Sequence, residues 1–303
     1  MKFSIWPDPA RSPEFVLDLA RHVDDAGWFG FWFADHYMPN TGSEEFAPGD
    51  THEVWAILPA VAAVTSNVRV GPLVSPTSIH HPALLANRAA SLDHLSAGRM
   101  VLGLGAGWQI NEHRAYGIEL EAPGPRVSRF GEAIEIVHRL LTEERTSFDG
   151  EFYALTDAPC DPKPIQDPLP LLVGTKSPRM LGITARFAHE WNTWGAPDLA
   201  ADGLRLLTAA CDAVGRDPAA FHCSTQALVV QTEDQSLIDG ALSGPMGDRT
   251  IAGSAAHLVD QMGRYSDVGF DEFIVPDFTF GNDPAQILAR VDEFQESVIA
   301  QLA

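Results

Sequence analysis

The chain has 303 residues, 45% of them hydrophobic, with 20 basic against 41 acidic residues and a formal net charge of −21. That balance argues against coating nucleic acid or an anionic membrane, and no apolar run of about 18 residues predicts a transmembrane helix. Pro7, Asp8 and Pro9 interrupt the N-terminus where a signal peptide needs an apolar stretch, and Cys160, Cys211 and Cys223 lack paired spacing, so a cytoplasmic protein with reduced thiols is expected.

In chain order the pattern is strand, helix, strand, helix with short turns. Phe3–Trp6 is an apolar strand. Ser12-Pro13-Glu14 supplies an N-cap, a first-turn proline and an acid, opening a helix to Ala26 that Gly27 ends. Phe29–Ala34 is continuously apolar, as a strand buried on both faces should be. The following loop, to about Asp50, is long for a compact fold, and residues 38–50 are expected to form a lid. Helix 53–65 leads to strand Val68–Ser75. His81-Pro82 opens a helix to Leu95, and Ser96-Ala97-Gly98-Arg99 turns into strand Met100–Leu104. Helix 126–143 precedes a hairpin at Thr146–Ala154 turning at Asp149-Gly150. After a proline-rich connector come strand Leu171–Gly174, helix 178–188, strand Glu190–Trp194 and helix 198–214. Strand Ser224–Gln231, helix 254–267, strand Glu272–Pro276 and helix 284–301 complete the chain.

About eight strands alternate with eight helices. A doubly wound sheet could give the same alternation. The length, the even spacing and the last helix after the last strand favour a single (β/α)8 TIM-type barrel over residues 1–303, with a small β-hairpin and loop insertions. In such barrels chemistry sits in the loops after the strands. Those loops begin with Trp6-Pro7-Asp8, Asp35-His36-Tyr37, Ser75-Pro76-Thr77, Gly105-Ala106-Gly107-Trp108, Gly174-Thr175-Lys176-Ser177, Trp194 and Pro276-Asp277-Phe278. They hold no His, Cys or carboxylate cluster, so no metal is expected. They hold no G-x-S-x-G motif and no cysteine, so nucleophilic hydrolysis has no support. Aromatic rings and glycines suit a large flat molecule. The only lysines are Lys2, Lys163 and Lys176. Lys176 and Arg179 stand at a helix start that is open to a phosphate, although an ordinary turn with a solvated lysine fits the same residues.

Four stretches carry a resemblance that runs over nearly the whole chain. They are GWFGFWFADHYMPN (27–40), NVRVGPLVSPTSIHHPALLANRAASLDHLSAGRMVLGLGAGWQINEHRAYG (67–117), PLPLLVGTKSPRMLGITARFAHEWNTWG (168–195) and GFDEFIVPDF (269–278). They resemble the bacterial luciferase-like family of flavin- and deazaflavin-dependent oxidoreductases, in particular its coenzyme F420 branch. The resemblance implies that Asp35-His36 meets the reactive ring, with His36 catalytic and Asp35 orienting it or bonding the ring edge. It implies a non-proline cis peptide under the ring within Pro72-Leu73-Val74-Ser75. It implies ring contacts from Leu73, Val74, Ser75, Thr77 and Gly105-Ala106-Gly107-Trp108, and phosphate contacts from Gly174-Thr175-Lys176-Ser177. In the branch's sugar-phosphate dehydrogenases a Glu follows the glycines; here Trp108 stands there, which suits an apolar or aromatic substrate. Glu112, four residues later, reads as a surface or helix-turn carboxylate, with catalysis as the alternative. Trp6 and Trp194 are candidates for the substrate wall. A homodimer through helices two and three is implied, and the apolar segment 54–64 fits it. The expected activity is hydride transfer between F420 and a small apolar or aromatic substrate. The alternatives are an FMN-dependent monooxygenase fed by a reductase and a non-catalytic F420- or flavin-binding protein.

Overall fold

The apolar runs become the strands of one parallel sheet. In the computed structural model, which describes residues 1–302, β1 (Lys2–Trp6) is followed by α1 (Pro13–Asp25), β2 (Gly30–Phe33) by α2 (Val54–Val64), and β3 (Arg69–Pro72) and β4 (Ser75–Pro76) by α3 (Pro82–Leu95). β5 (Leu102–Gly105) leads to α4 (Ile110–Tyr116), α5 (Pro123–Thr142) and the antiparallel hairpin of β6 (Thr146–Asp149) and β7 (Ala154–Ala158). Next come β8 (Leu171–Gly174), α6 (Pro178–Phe187), β9 (Glu190–Trp194), α7 (Pro197–Val214) and β10 (His222–Gln226). β11 (Leu228–Gln231), α8 (Gln235–Ser243) and β12 (Thr250–Gly253) form an excursion before α9 (Ala255–Val268), β13 (Glu272–Pro276) and α10 (Pro284–Ser297).

The large sheet runs β3-β2-β1-β13-β10-β9-β8-β5-β4. Since β3 and β4 are two pieces of one strand, the nine strands make eight staves. A parallel bridge from Val70 to Met100 joins the two ends. The result is the TIM-type barrel that the alternation predicts. The break between β3 and β4 is a non-proline cis peptide, Leu73–Val74, inside the stretch where the resemblance places one. Glycines make the seam possible. A Cβ at Gly71 would lie 2.3 Å from the Val101 carbonyl oxygen, and one at Gly103 would lie 2.0 Å from that of Pro72.

Period-two alternation sorts each stave. In β9, Trp191 faces outward onto α7, so close that a Cβ at Gly203 would meet its ring at 2.9 Å. Glu190, Asn192 and Trp194 point inward. The outward side chains join the helices in the main core, while Trp6, Trp32, Ala34, Leu73, Val101, Leu172 and Ile274 fill the barrel. Its N-terminal end is closed by a buried polar group: Glu272 accepts from Trp32 Nε1 at 2.8 Å and pairs with His222 Nε2 at 2.9 Å, and Arg69 pairs with Glu190. Above it, Asn192, Ser224 and Gln226 bond to one another and are all buried.

Two expectations are corrected. The run Ser224–Gln231 is not one strand: the chain leaves the barrel at Ala227, and β11 pairs in parallel with β12 instead. The hairpin turns through a longer loop than Asp149-Gly150. Gly150 N donates to the Tyr153 carbonyl at 2.9 Å, and Glu132 accepts from the amides of Glu151, Phe152 and Tyr153. Among the described residues no helix is long and apolar enough to cross a membrane.

Candidate active site

The C-terminal ends of the staves converge on one mouth. The segment just after β2 delivers Asp35, His36 and Tyr37. Asp35 is buried; its Oδ2 accepts from Ser75 Oγ at 2.5 Å and meets His80 Nε2 at 2.9 Å, while Oδ1 has no partner. Asp35 therefore ties the second stave to the third and does not orient His36, which projects the other way. His80 is fixed at both nitrogens, because Arg88 Nη1 donates to its Nδ1 at 3.2 Å. Burial pushes the Tyr37 phenol up, with Asp35 and Glu53 adding to it, so it stays neutral.

His36 is oriented by Glu112. Its Nδ1 lies 3.0 Å from Glu112 Oε1, and Glu112 Oε2 accepts from the Tyr37 amide at 3.0 Å. Glu112 is 1% exposed, which corrects the reading of it as a surface or helix-turn carboxylate. α4 carries it inward, and that helix is strapped to the chain after His36: Gln109 Nε2 donates to the Met38 carbonyl at 2.9 Å and Asn111 Nδ2 to that of Pro39 at 2.8 Å. These two bonds pin the root of loop 38–50, whose tip presents an exposed Phe46. Trp108 stands edge-on to His36, with ring centroids 5.4 Å apart and an interplanar angle of 88°, and is 56% exposed. His113, next to Glu112, donates from Nδ1 to the Gln109 carbonyl and accepts from Ser78 Oγ at 2.8 Å.

The glycines of β5 make room for a side chain from the third stave. A Cβ at Gly105 would lie 2.7 Å from Val74 Cγ2, and Gly103 and Gly174 flank the same side chain. The room they leave is filled by Val74, which plugs the barrel just below the mouth beside Leu73. Thr77 donates from its amide and its hydroxyl to the Gly105 carbonyl at 2.8 and 3.2 Å, which fastens the third stave to the fourth. Gly107 has φ +91, and a Cβ there would lie 1.9 Å from Ser78 Oγ, so only glycine fits beside Ala106 and Trp108.

At the fifth stave, Thr175 N donates to the Asn192 carbonyl, Ser177 N to Thr175 Oγ1, and Trp191 Nε1 to the Thr175 carbonyl at 2.8 Å. This fixes the turn from Gly174 to Ser177. Ser177 caps α6 without a side-chain bond to it, so the first-turn amides stay open. The Lys176 ammonium is held below its ordinary range by burial and then by Arg249. Arg249 comes from the excursion before β12, and nothing in the sequence pattern marked it. Arg179, expected beside the turn, instead donates to the Gly124 carbonyl and Ser128 Oγ at the start of α5.

The Trp6 and Trp194 rings pack together, with centroids 5.4 Å apart, and Phe278 packs on Trp6 at 5.1 Å. Trp6 Nε1 is buried without a partner. Asp277, at the end of β13, accepts from the Asp8 amide at 2.8 Å and from Arg11 Nε at 3.1 Å, holding the loop after β1; burial pushes its carboxyl up to about 6 against the pull of Arg11. Trp32 is core, Glu53 and His81 cap α2 and α3, and His94 bonds the Lys163 carbonyl. Among the described residues no cluster of His, Cys, Asp and Glu has the makings of a metal site.

The family model described as luciferase-like monooxygenase matches residues 1–299. An F420-dependent glucose-6-phosphate dehydrogenase from Kineococcus radiotolerans is 29% identical over 297 residues, covering 96% of this chain and 86% of that protein. Two solved structures share the fold at lower identity. One is an F420-dependent secondary alcohol dehydrogenase in complex with an F420–acetone adduct (TM-score 0.84, 17% identity, 99% of this chain and 98% of that one). The other is a monooxygenase from Streptomyces bottropensis (TM-score 0.81, 23% identity, 100% of both chains). With the barrel, the cis peptide after β3 and a match over almost every residue, the chain belongs to the luciferase-like monooxygenase family.

Proposed function

We propose that the protein is a coenzyme F420-dependent oxidoreductase that moves a hydride between the deazaflavin and a small apolar or aromatic organic substrate. One observation carries the reading: the same mouth holds an imidazole–carboxylate pair, His36–Glu112, and a half-buried Lys176, with Arg249 and Asp248 in its surroundings, at an open helix start. The first suits proton exchange and the second an anionic tail. A relative matched over 96% of the chain is named for F420, which supports the choice over FMN.

When bound, F420 supplies a carrier for a hydride, two electrons and one hydrogen together. The residues that would hold it are Leu73, Val74 and Ser75 beneath the ring, with Asp35, His36, Thr77 and Gly105 to Trp108 around it. The tail's phosphate would meet Gly174, Thr175, Lys176 and Ser177, joined by Arg249. Two open observations fit such a guest: the unpartnered Asp35 Oδ1 and the uncapped start of α6. His36 exchanges the proton that accompanies the hydride, through Nε2. Trp108, with Trp6 and Trp194, forms an aromatic wall that favours an apolar substrate over a sugar phosphate. The whole chain acts as one barrel domain in the cytoplasm, as a homodimer through α2 and α3, with loop 38–50 closing over the substrate.

Titration of the cofactor-free protein with F420 and with FMN, followed by fluorescence quenching, tests this. We expect F420 to bind at least tenfold more tightly. Tighter FMN binding by the same margin would replace the reading with a flavin monooxygenase. F420 binding with turnover unchanged in His36→Ala would remove His36 from the chemistry.

A further inference from the structure

We infer that Glu112 is the positioning residue of the proton-transfer group: it locks His36 into the tautomer with hydrogen on Nδ1, leaving Nε2 to exchange a proton with the substrate. This rests on the role given to His36 above.

Three histidines surround the mouth, and they differ in what their ring nitrogens do. His80 spends both nitrogens, one on Asp35 and one on Arg88. His113 also spends both, on the Gln109 carbonyl and on Ser78, and is 1% exposed. His36 has a bond recorded at Nδ1 alone, and its side chain keeps 22% of its exposure. Of the three, only His36 is placed to pass a proton to a ligand.

Which nitrogen carries the hydrogen is set by the partner of the other. An ionised carboxylate can only accept. Glu112 uses one oxygen for the Tyr37 amide, a donor whose role cannot change, and the other for His36 Nδ1, which must then donate. The two amide straps from Gln109 and Asn111 hold α4 against the segment after His36, and the Trp108 ring packs at right angles to the imidazole. With Nδ1 committed, Nε2 would take the hydroxyl proton of an alcohol substrate as its O–H and C–H bonds break and the C=O bond forms, the hydride going to the deazaflavin of the proposed function. It returns that proton to the oxygen in the reverse direction. Trp108 offers no second proton donor.

The isosteric Glu112→Gln variant separates the two functions of the carboxylate. An amide has one acceptor and one donor. Its oxygen is claimed by the Tyr37 amide, so its NH2 faces Nδ1 and imposes the opposite tautomer. Histidine-selective 15N NMR on the cofactor-free protein at pH 8, with His36 assigned by its loss in His36→Asn, reads this directly. We expect protonated Nδ1 in the parent, protonated Nε2 in E112Q, and the parental tautomer in Glu112→Asp, which keeps two acceptors. In turnover E112Q should lose about 100-fold in kcat, by analogy with carboxylates that orient metal-bound histidines, with E112D recovering part of it and Kd for F420 within about threefold. An unchanged tautomer in E112Q overturns the inference, and so does a switched tautomer with kcat within threefold of the parent. The NMR result stands without cofactor, so a failed F420 titration counts against the proposed function and leaves the pairing intact.

Discussion

At the scale of single residues, buried titratable groups outside the mouth tie stability to pH. His189 is half-buried and accepts the Leu171 amide at Nδ1, 3.1 Å away, so it folds uncharged; burial first, then Arg216 and His138, push it down to about 4. Its unfolded value is about 6.5. Between those values the unfolded chain binds more protons, so the contribution of His189 is present above about pH 6.5 and is lost as the pH falls towards 4. Asp277 runs the other way. Its folded value near 6 exceeds that of the unfolded chain, so its contribution is present at low pH and is lost as pH rises through 6. The two windows overlap, and the parent's pH profile alone will not separate them. His189→Asn keeps an acceptor for the Leu171 amide without the charge. In urea unfolding, the stability lost between pH 7.5 and pH 5 should shrink by about 1 kcal/mol in that variant, after discounting for partial solvent screening. An unchanged difference would mean that His189 is hydrated when charged in the folded state.

At the scale of elements, the barrel closes where β3 and β5 approach through glycines. Gly103→Ala would set a methyl 2.0 Å from the Pro72 carbonyl oxygen, a backbone atom with no room to retreat. We expect a loss of about 3 kcal/mol or more, at or beyond the upper range for overpacking, visible as a fall in the thermal midpoint, whereas Gly182→Ala, with nothing within 4 Å, should leave it nearly unchanged. Equal midpoints for both would refute the tight seam. The seam also shows what the sequence could disclose. Strand ends were legible because a continuously apolar run such as Phe29–Ala34 stops abruptly at Asp35-His36. The glycines of β5 were visible, but their filling was not, because Val74 reaches Gly103 and Gly105 from 29 to 31 residues earlier only when the third stave breaks. Glu112 was hidden for the same reason: its partner lies 76 residues away, and a short helix with two charged residues in NEHR looks exposed until Gln109 and Asn111 strap it inward. β11 was hidden by continuity, because LVV extends an apolar pattern across the point where the chain leaves the barrel. Arg249 was hidden by that excursion.

At the scale of the whole molecule, a net charge of −21 repels an anionic cofactor, and Lys176 with Arg249 forms a local exception at the mouth. The opposite end is sealed. Trp32, Glu272, His222, Arg69 and Glu190 fill the barrel's foot, and Val74 fills it just under the mouth. A vessel with a single opening empties in the reverse order of its filling. On the proposed reading the deazaflavin lies deepest, against Val74, and the substrate lies over it towards Trp108. The cofactor should then be first in and last out, with random-order initial-rate patterns as the contrary result. A substrate in excess would sit on spent cofactor and hold it in place. That predicts inhibition at high substrate concentration that deepens with the concentration of the spent cofactor. The closed foot, a matter of packing far from any chemistry, thereby sets the traffic rules of the catalytic cycle.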